Sequence, residues 1–231
     1  MSETQGPTDH DSDLESDEDS QPHDPRVRVV KGAPWVIDAS RRERWSADDF
    51  VTKHASEIRQ VGDPVLHAPA KKPRLDRKEL EHLVKRMFAS MVAAHGIGIA
   101  AQQIGVALRV VIIDVDLVGI VAVNPVVEFT SDEVDEMSEG CLSVRGLYGM
   151  LERPLVARIT ATDLAGKKFT LEGEGLGAQC ILHETDHTFG QLYVDRLRTR
   201  KDLFAVEPDD SGEHHSVSGH TRDEMERTTS Q

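Results

Sequence analysis

His183-Glu184-Thr185-Asp186-His187 sets two imidazoles four residues apart, with a carboxylate beside the first. On a helix, residues i and i+4 share a face one turn apart, so both rings can reach one metal ion. Glu184 can then meet a water next to that ion without taking a coordination position, an arrangement suited to metal-assisted hydrolysis with a carboxylate general base. The plainer reading is a helix carrying two histidines and two acids on a solvated face. Against it, Cys180, Ile181 and Leu182 run straight into the motif. The helix is therefore read as largely buried, where charged groups have partners or a metal.

A catalytic ion of this kind takes three protein ligands and keeps one position open. Two cysteines compete for the third place. Cys180 lies three residues before His183 on the same side of the helix, while Cys141 sits in Glu139-Gly140-Cys141-Leu142-Ser143, beside strand candidates. Three donors on consecutive turns of one helix converge poorly on a tetrahedral centre, and a thiolate from a second element completes it better. Whichever cysteine is not a ligand is read as a small buried apolar residue. A third stretch, Gly96-Ile97-Gly98-Ile99-Ala100-Ala101-Gln102-Gln103, follows no strand and so does not fit a dinucleotide-binding loop. Its glycines would let the backbone approach an extended ligand, and a carboxamide there can donate to an oxyanion.

These residues need elements to hold them. Asp76 and Glu79 form a capping-box pattern ahead of a helix from Arg77 to about His95, whose Leu80, Leu83, Val84, Met87, Phe88, Met91 and Val92 share one face. Gly96 and Gly98 are expected to end it. Strands are expected at Leu108 to Val115, Val121 to Val123, Val126 to Thr130, Val156 to Thr162 and Lys168 to Leu171, with a turn over Asp163 to Gly166. A second helix should run from Gly175 to about Thr188 and carry the histidines. Helix, strands, then helix implies an α+β domain, with antiparallel strands packed around a central metal-binding helix.

Of the 231 residues, the first 25 hold nine acidic and no basic side chains, and residues 201–231 hold eight acidic and three basic. Those ends account for the whole formal charge of −14 and leave residues 26–200 balanced at 24 acidic and 24 basic. The centre thus has no field to attract nucleic acid, ribosomal RNA or an anionic membrane. Residues 1–25 read as a disordered acidic extension, 26–56 as an appended segment with a helix starting at a Ser46 cap, and 201–231 as a mostly disordered polar tail. The His214, His215 and His220 cluster in that tail has no scaffold to fix a metal geometry. Two cysteines in a chain this long suggest reduced thiols, and no apolar run approaches the ~20 residues of a membrane span. The chain reads as cytoplasmic.

Gly96 to Gln103, Glu139 to Ser143 and His183 to His187, in that order and at these separations, resemble the three motifs of the peptide deformylases. The likeness extends through Ile58-Arg59-Gln60-Val61-Gly62-Asp63-Pro64-Val65-Leu66 and Tyr193-Val194-Asp195-Arg196, so that it spans about residues 57–200, the expected catalytic domain. The resemblance implies Cys141, His183 and His187 as metal ligands and Glu184 as the acid/base. It further implies that the Gln103 side chain and the Leu142 backbone N–H form an oxyanion hole. Ile97 and Gly98 would pair with substrate backbone, and Leu176, with the wall around Cys180, would line a methionine pocket. The implied cofactor is one divalent ion, Fe2+ first, with Zn2+, Ni2+ or Co2+ suiting the same ligands. The implied substrates are N-formylmethionyl peptides of nascent chains, with formate released.

The chain departs from the family pattern at Arg145, Tyr148, Leu182 and Thr188, none of them a ligand, and it keeps Arg153 and Asp186 as a candidate buried ion pair behind the metal. Arg145 and Tyr148 put substrate preference in question more than catalysis. Two other readings share the motifs: a deformylase-like metal-binding module without turnover, and a zinc peptidase that cuts internal bonds.

Overall fold

The computed structural model describes residues 26–205. The acidic extension, the polar tail beyond residue 205 and its three histidines lie outside the described residues. In chain order the elements are β1 (Val27–Lys31), α1 (Ala39–Trp45), α2 (Asp48–His54), α3 (Arg77–Ala93), β2 (Gly98–Ala100), β3 (Val110–Ile113), β4 (Ile120–Thr130), β5 (Val134–Cys141), β6 (Val144–Pro154), β7 (Val156–Thr162), β8 (Lys168–Glu174), α4 (Leu176–His187) and β9 (Leu203–Ala205). Strands β1-β8-β7-β4-β3-β2 form one sheet and β5-β6-β9 a second. Every pairing between these strands is antiparallel.

Side-chain alternation along β3 explains the layering. Val111 and Ile113 join Ala122, Ile159, Leu171 and Ile181 in a core beneath α4. Val110 and Ile112 point the other way, into a core with Leu83, Val84, Met87 and Phe88 of α3. β3 is buried on both faces because a helix lies on each side. Gly173 lets α4 lie close on the sheet, since a methyl group there would come within 2.5 Å of the Gly177 carbonyl carbon. Among the described residues no helix is long and apolar enough to cross a membrane.

Several expectations change. The two expected strands at 121–130 are one, bent where Asn124 takes a φ of 53° ahead of Pro125 and the register with β7 shifts. The α3 capping box is present, but the helix stops at Ala93, with His95 in the left-handed region instead of either glycine, and Gly98 lies inside β2. Residues 26–56 are woven into the main body. β1 adds to the sheet edge beside β8. Asp38 caps α1 by accepting from the Arg41 amide at 2.9 Å. The helix expected from a Ser46 cap to Ile58 is the shorter α2, preceded by Ala47. Residues 203–205, assigned to the tail, pair with β6.

On the outer sheet face Glu172 accepts from Arg28 (2.5 Å to Nη2) and from Arg158 (2.8 Å to Nε). The Arg28 hydrogen bond, aided by Arg158 and opposed by burial, lowers the Glu172 pKa. A carboxylate whose pKa falls on folding stabilises the fold above its unfolded value, near pH 4.3, and the contribution is lost as pH drops through the folded value. Glu172→Gln should therefore lower the melting temperature at pH 7, and the gap to the parent should narrow as pH falls below the ordinary carboxylate range and close once pH passes the lowered folded value. A gap that stays constant down to acid pH would mean the carboxylate charge does not act here.

Candidate active site

Helix α4 presents His183 and His187 one turn apart, with ring centroids 4.9 Å apart. Cys141 ends β5, where the chain turns back through Leu142 and Ser143 into β6. That turn carries Sγ to 3.3 Å from His187 Nε2. The donor atoms of Cys141, His183 and His187 all lie within 4.8 Å of one another, the one such His/Cys/Asp/Glu group found among the described residues. Metal–sulfur bonds of ~2.3 Å and metal–nitrogen bonds of ~2.0 Å put tetrahedral donors at comparable spacing. Cys180 is elsewhere: its Sγ reaches the Ile97 carbonyl at 3.6 Å, and burial pushes its thiol pKa well up.

Electrostatics favour a cation at this point. Burial works to lower the His183 pKa, but the Cys141 sulfur and the Glu139 carboxylate hold it well above the ordinary value. Burial, helped by His183, drives that of His187 well down, which leaves a neutral ring with a lone pair to donate. Glu139 Oε1 lies 2.5 Å from His183 Nδ1, so the other ring nitrogen is the one free to bind an ion. Arg153 holds Glu139 in turn with a two-pronged contact of 2.8 and 2.7 Å, and its remaining nitrogen reaches Asp186 at 2.9 Å. The Arg153–Asp186 pair suggested by the sequence is thus one arm of a larger network. Burial tends to raise the Glu139 pKa, yet Arg153 and His183 prevail and hold it at about 2. Glu139 is the residue that sequence reasoning quoted without giving it a role. Its one signal was an acid two residues from a candidate ligand.

Glu184 is buried, and burial raises its pKa to about 7. Its Oε2 has no protein partner among the described residues. Its other oxygen lies against β2, where a methyl group on Gly98 would come within 2.6 Å of Oε1 and 2.9 Å of Cys180 Sγ. Gly98→Ala should therefore displace Glu184 and lower kcat by about ten-fold or more, while leaving the metal content near that of the parent. Unchanged kcat would show that the carboxylate has room to move.

Gln103 Oε1 accepts from the Ala100 amide at 2.8 Å, which turns the carboxamide nitrogen towards the site, 3.5 Å from Cys141 Sγ. Because the Ala100 N–H faces away from β3, strand alternation puts the backbone groups of Gly98 on the same open edge. β2 ends its sheet, so that edge can accept another strand. The segment 59–61 ties these pieces together: Arg59 N–H donates to Gln103 O (2.8 Å) and Val61 N–H to Ser143 O (2.8 Å). Gln60 Nε2 donates to Leu142 O at 3.1 Å. Leu176, Cys180 and His183 follow one another on a single face of α4, at the i, i+4, i+7 spacing. Tyr148 covers Gly140 and stacks on Phe204 at 6.2 Å, so this off-pattern residue helps fasten β9 to β6.

Known proteins share this architecture. A family model described as polypeptide deformylase matches residues 55–202. Peptide deformylase 1 of Streptomyces avermitilis is 41% identical over 186 residues, 76% of this chain and 86% of that one. The peptide deformylase of Acidothermus cellulolyticus is 45% identical over 140 residues, 61% of this chain and 77% of that one. Among solved structures, a peptide deformylase from Synechococcus elongatus in complex with actinonin superposes with a TM-score of 0.61 at 37% identity, covering 64% of this chain and 81% of that one. The peptide deformylase from Thermotoga maritima gives 0.61 at 32% identity, covering 63% and 99%. The three motifs, the antiparallel fold around α4 and these likenesses agree: the chain belongs to the peptide deformylase family.

Proposed function

We propose that this chain removes the formyl group from N-formylmethionine at the start of nascent polypeptides, with Cys141, His183 and His187 as the ligands of one divalent ion. The observation that carries the assignment is a cysteine from one sheet and two histidines from a helix sharing one donor cluster, with a buried carboxylate alongside. The bound ion would supply Lewis acidity and lower the pKa of water towards ~7.

This chain's residues do the rest. The peptide lies along the open edge of β2, paired with the backbone at Gly98, whose neighbour Ile97 turns its carbonyl inward to Asp114, and its methionine side chain enters beside Leu176 and Cys180. Glu184, as a carboxylate, takes the proton from the attacking water and later delivers it to the departing amine. The Gln103 carboxamide and the Leu142 N–H donate to the oxygen that gains charge as the formyl carbon becomes tetrahedral; one such donor is worth ~3 kcal/mol of transition-state stabilisation. Glu139 keeps the His183 ring turned, and burial keeps bulk water from competing. Formate and a free α-amine leave.

For the ion we propose Fe2+, supported by the family likeness; the donors accommodate Zn2+, Ni2+ or Co2+ on chemical grounds. Iron with a thiolate ligand is air-sensitive, so activity isolated without oxygen should decay in air. Because the substrates are nascent chains, the compartment we propose is the cytoplasm. The test is formate release from formyl-Met-Ala-Ser by anaerobically purified protein. Bound metal without release would indicate a binding module, and cleavage of unformylated peptides would indicate a peptidase.

A further inference from the structure

The family match begins at residue 55, so β1, α1 and α2 lie ahead of it. One residue of that leading segment reaches towards the substrate edge. Arg42 of α1 grips the buried carboxylate of Asp114 with both terminal nitrogens, Nη1 to Oδ2 at 2.9 Å, and Nη2 also donates to Leu117 O at 3.1 Å. The Gly119 amide donates to the same carboxylate at 2.9 Å. These bonds close the turn after β3, in which Asp116 and Leu117 both take φ values in the left-handed region, 54° and 60°. Non-glycine residues hold that conformation only where neighbours fix it. Arg26, from the same leading segment, adds a second grip on the turn through Asp116 at 2.6 Å.

The backbone N–H of Asp114 donates to Ile97 O at 2.8 Å, the first rung between the turn and the chain entering β2. Arg42 is itself anchored, with its guanidinium 5.4 Å over the Phe88 ring of α3 and Trp45 of its own helix buried against the same ring. A continuous path therefore runs from α1 through Asp114 to the carbonyl of Ile97, on the inner side of the strand whose outer side meets the peptide.

We propose that Arg42 is a substrate-positioning residue: by fixing Asp114 it sets the height and twist of Ile97 and Gly98, and so the register in which the peptide backbone adds to β2. The inference rests on the reading that β2 receives the peptide. It makes the leading segment part of the binding apparatus.

The test compares formate release from formyl-Met-Ala-Ser, which can pair along β2, with release from formyl-methionine amide, which cannot extend along it. In Arg42→Ala the KM for the tripeptide should rise about three- to ten-fold, the worth of one backbone hydrogen bond. Its kcat should stay within about two-fold of the parent, and kcat/KM for formyl-methionine amide should change by less than about two-fold. Amide hydrogen exchange at Asp114 should speed up in the same variant. Arg42→Lys, which keeps the charge but loses the fork, should fall between; if Arg42→Ala does not fold, the same comparison is read on Arg42→Lys. An equal loss on both substrates, an unchanged KM for the tripeptide or unchanged exchange at Asp114 would overturn the proposal. A parent silent on both substrates would instead overturn the functional reading, and the exchange measurement would still decide whether Arg42 holds Asp114.

Discussion

Glu184→Ala should retain its metal and release formate from formyl-Met-Ala-Ser about 10²- to 10⁴-fold more slowly than the parent, the range expected when a positioned proton carrier is removed. The loss should appear in kcat more than in KM, because the carboxylate acts on the reacting water and amine and touches little of the bound peptide. Burial, helped by the Glu139 charge and opposed by His183, places the Glu184 carboxyl at about 7. A dication beside it favours the charged form, so in the loaded protein the carboxyl titrates below that value. Since the deprotonated form is the base, kcat/KM should rise with pH through this titration on its acid limb. In Glu184→Ala the limb should disappear along with most of the rate. A variant that keeps more than about a tenth of the parental kcat, with full metal content, would remove Glu184 from the chemistry.

Glu139→Ala should weaken both the fold and the metal site. It strips Arg153, only 3% exposed, of its two-pronged partner and leaves it with Asp186 alone. Removing one partner of a buried pair costs about 3–5 kcal/mol, because the other charge stays buried without its counterpart. The same change frees the His183 ring to rotate, and loss of such an orienting carboxylate typically weakens metal binding about 10- to 100-fold. Urea unfolding together with metal competition against a chelator separates the two effects. Glu139→Gln gives the contrast: its amide can still face His183 Nδ1, but it cannot neutralise Arg153. Lower stability with undiminished metal affinity would show that Glu139 serves the scaffold and not the ion. The pH dependence has a defined sign. The Glu139 pKa is held at about 2, below its unfolded value, so its contribution is present above the ordinary carboxylate range and fades as pH falls towards 2.

Both results depend on contacts of different legibility. Glu184 was readable because its role follows from two histidines at i and i+4 with an acid between them, a pattern fixed by helix geometry. α3 was readable for the same reason, from its capping box and its apolar face, and β7 was found at its observed limits, Val156–Thr162. The β5–β6 hairpin was not found. Its stretch Val134–Cys141 carries Asp135, Glu136, Ser138 and Glu139, which a hydrophobic pattern scores as exposed. In the fold Glu139 is buried because Arg153 comes back beside it on β6. The leading segment was less legible on similar grounds. α1 and α2 are seven residues each, too short for periodicity to speak clearly, and they are held by Trp45, Phe50 and Arg42 against residues far along the chain.

By itself, then, the sequence determined the chemistry: which residues could bind an ion, which could carry a proton, and that one helix would hold three of them. It did so because those facts are set by side-chain type and by spacing within a single turn. Only the tertiary structure decided that Cys141 and not Cys180 meets the two histidines, and that Glu139 and Arg153 stand behind His183. The same holds for the strap from Arg59 to Val61 across Gln103 and Ser143, and for the reach of α1 to the strand at the substrate edge. Each joins residues well separated along the chain, by 14 positions for Glu139 and Arg153 and by 72 for Arg42 and Asp114. A polar group shows its partner only when the chain has brought the two together and excluded water from between them.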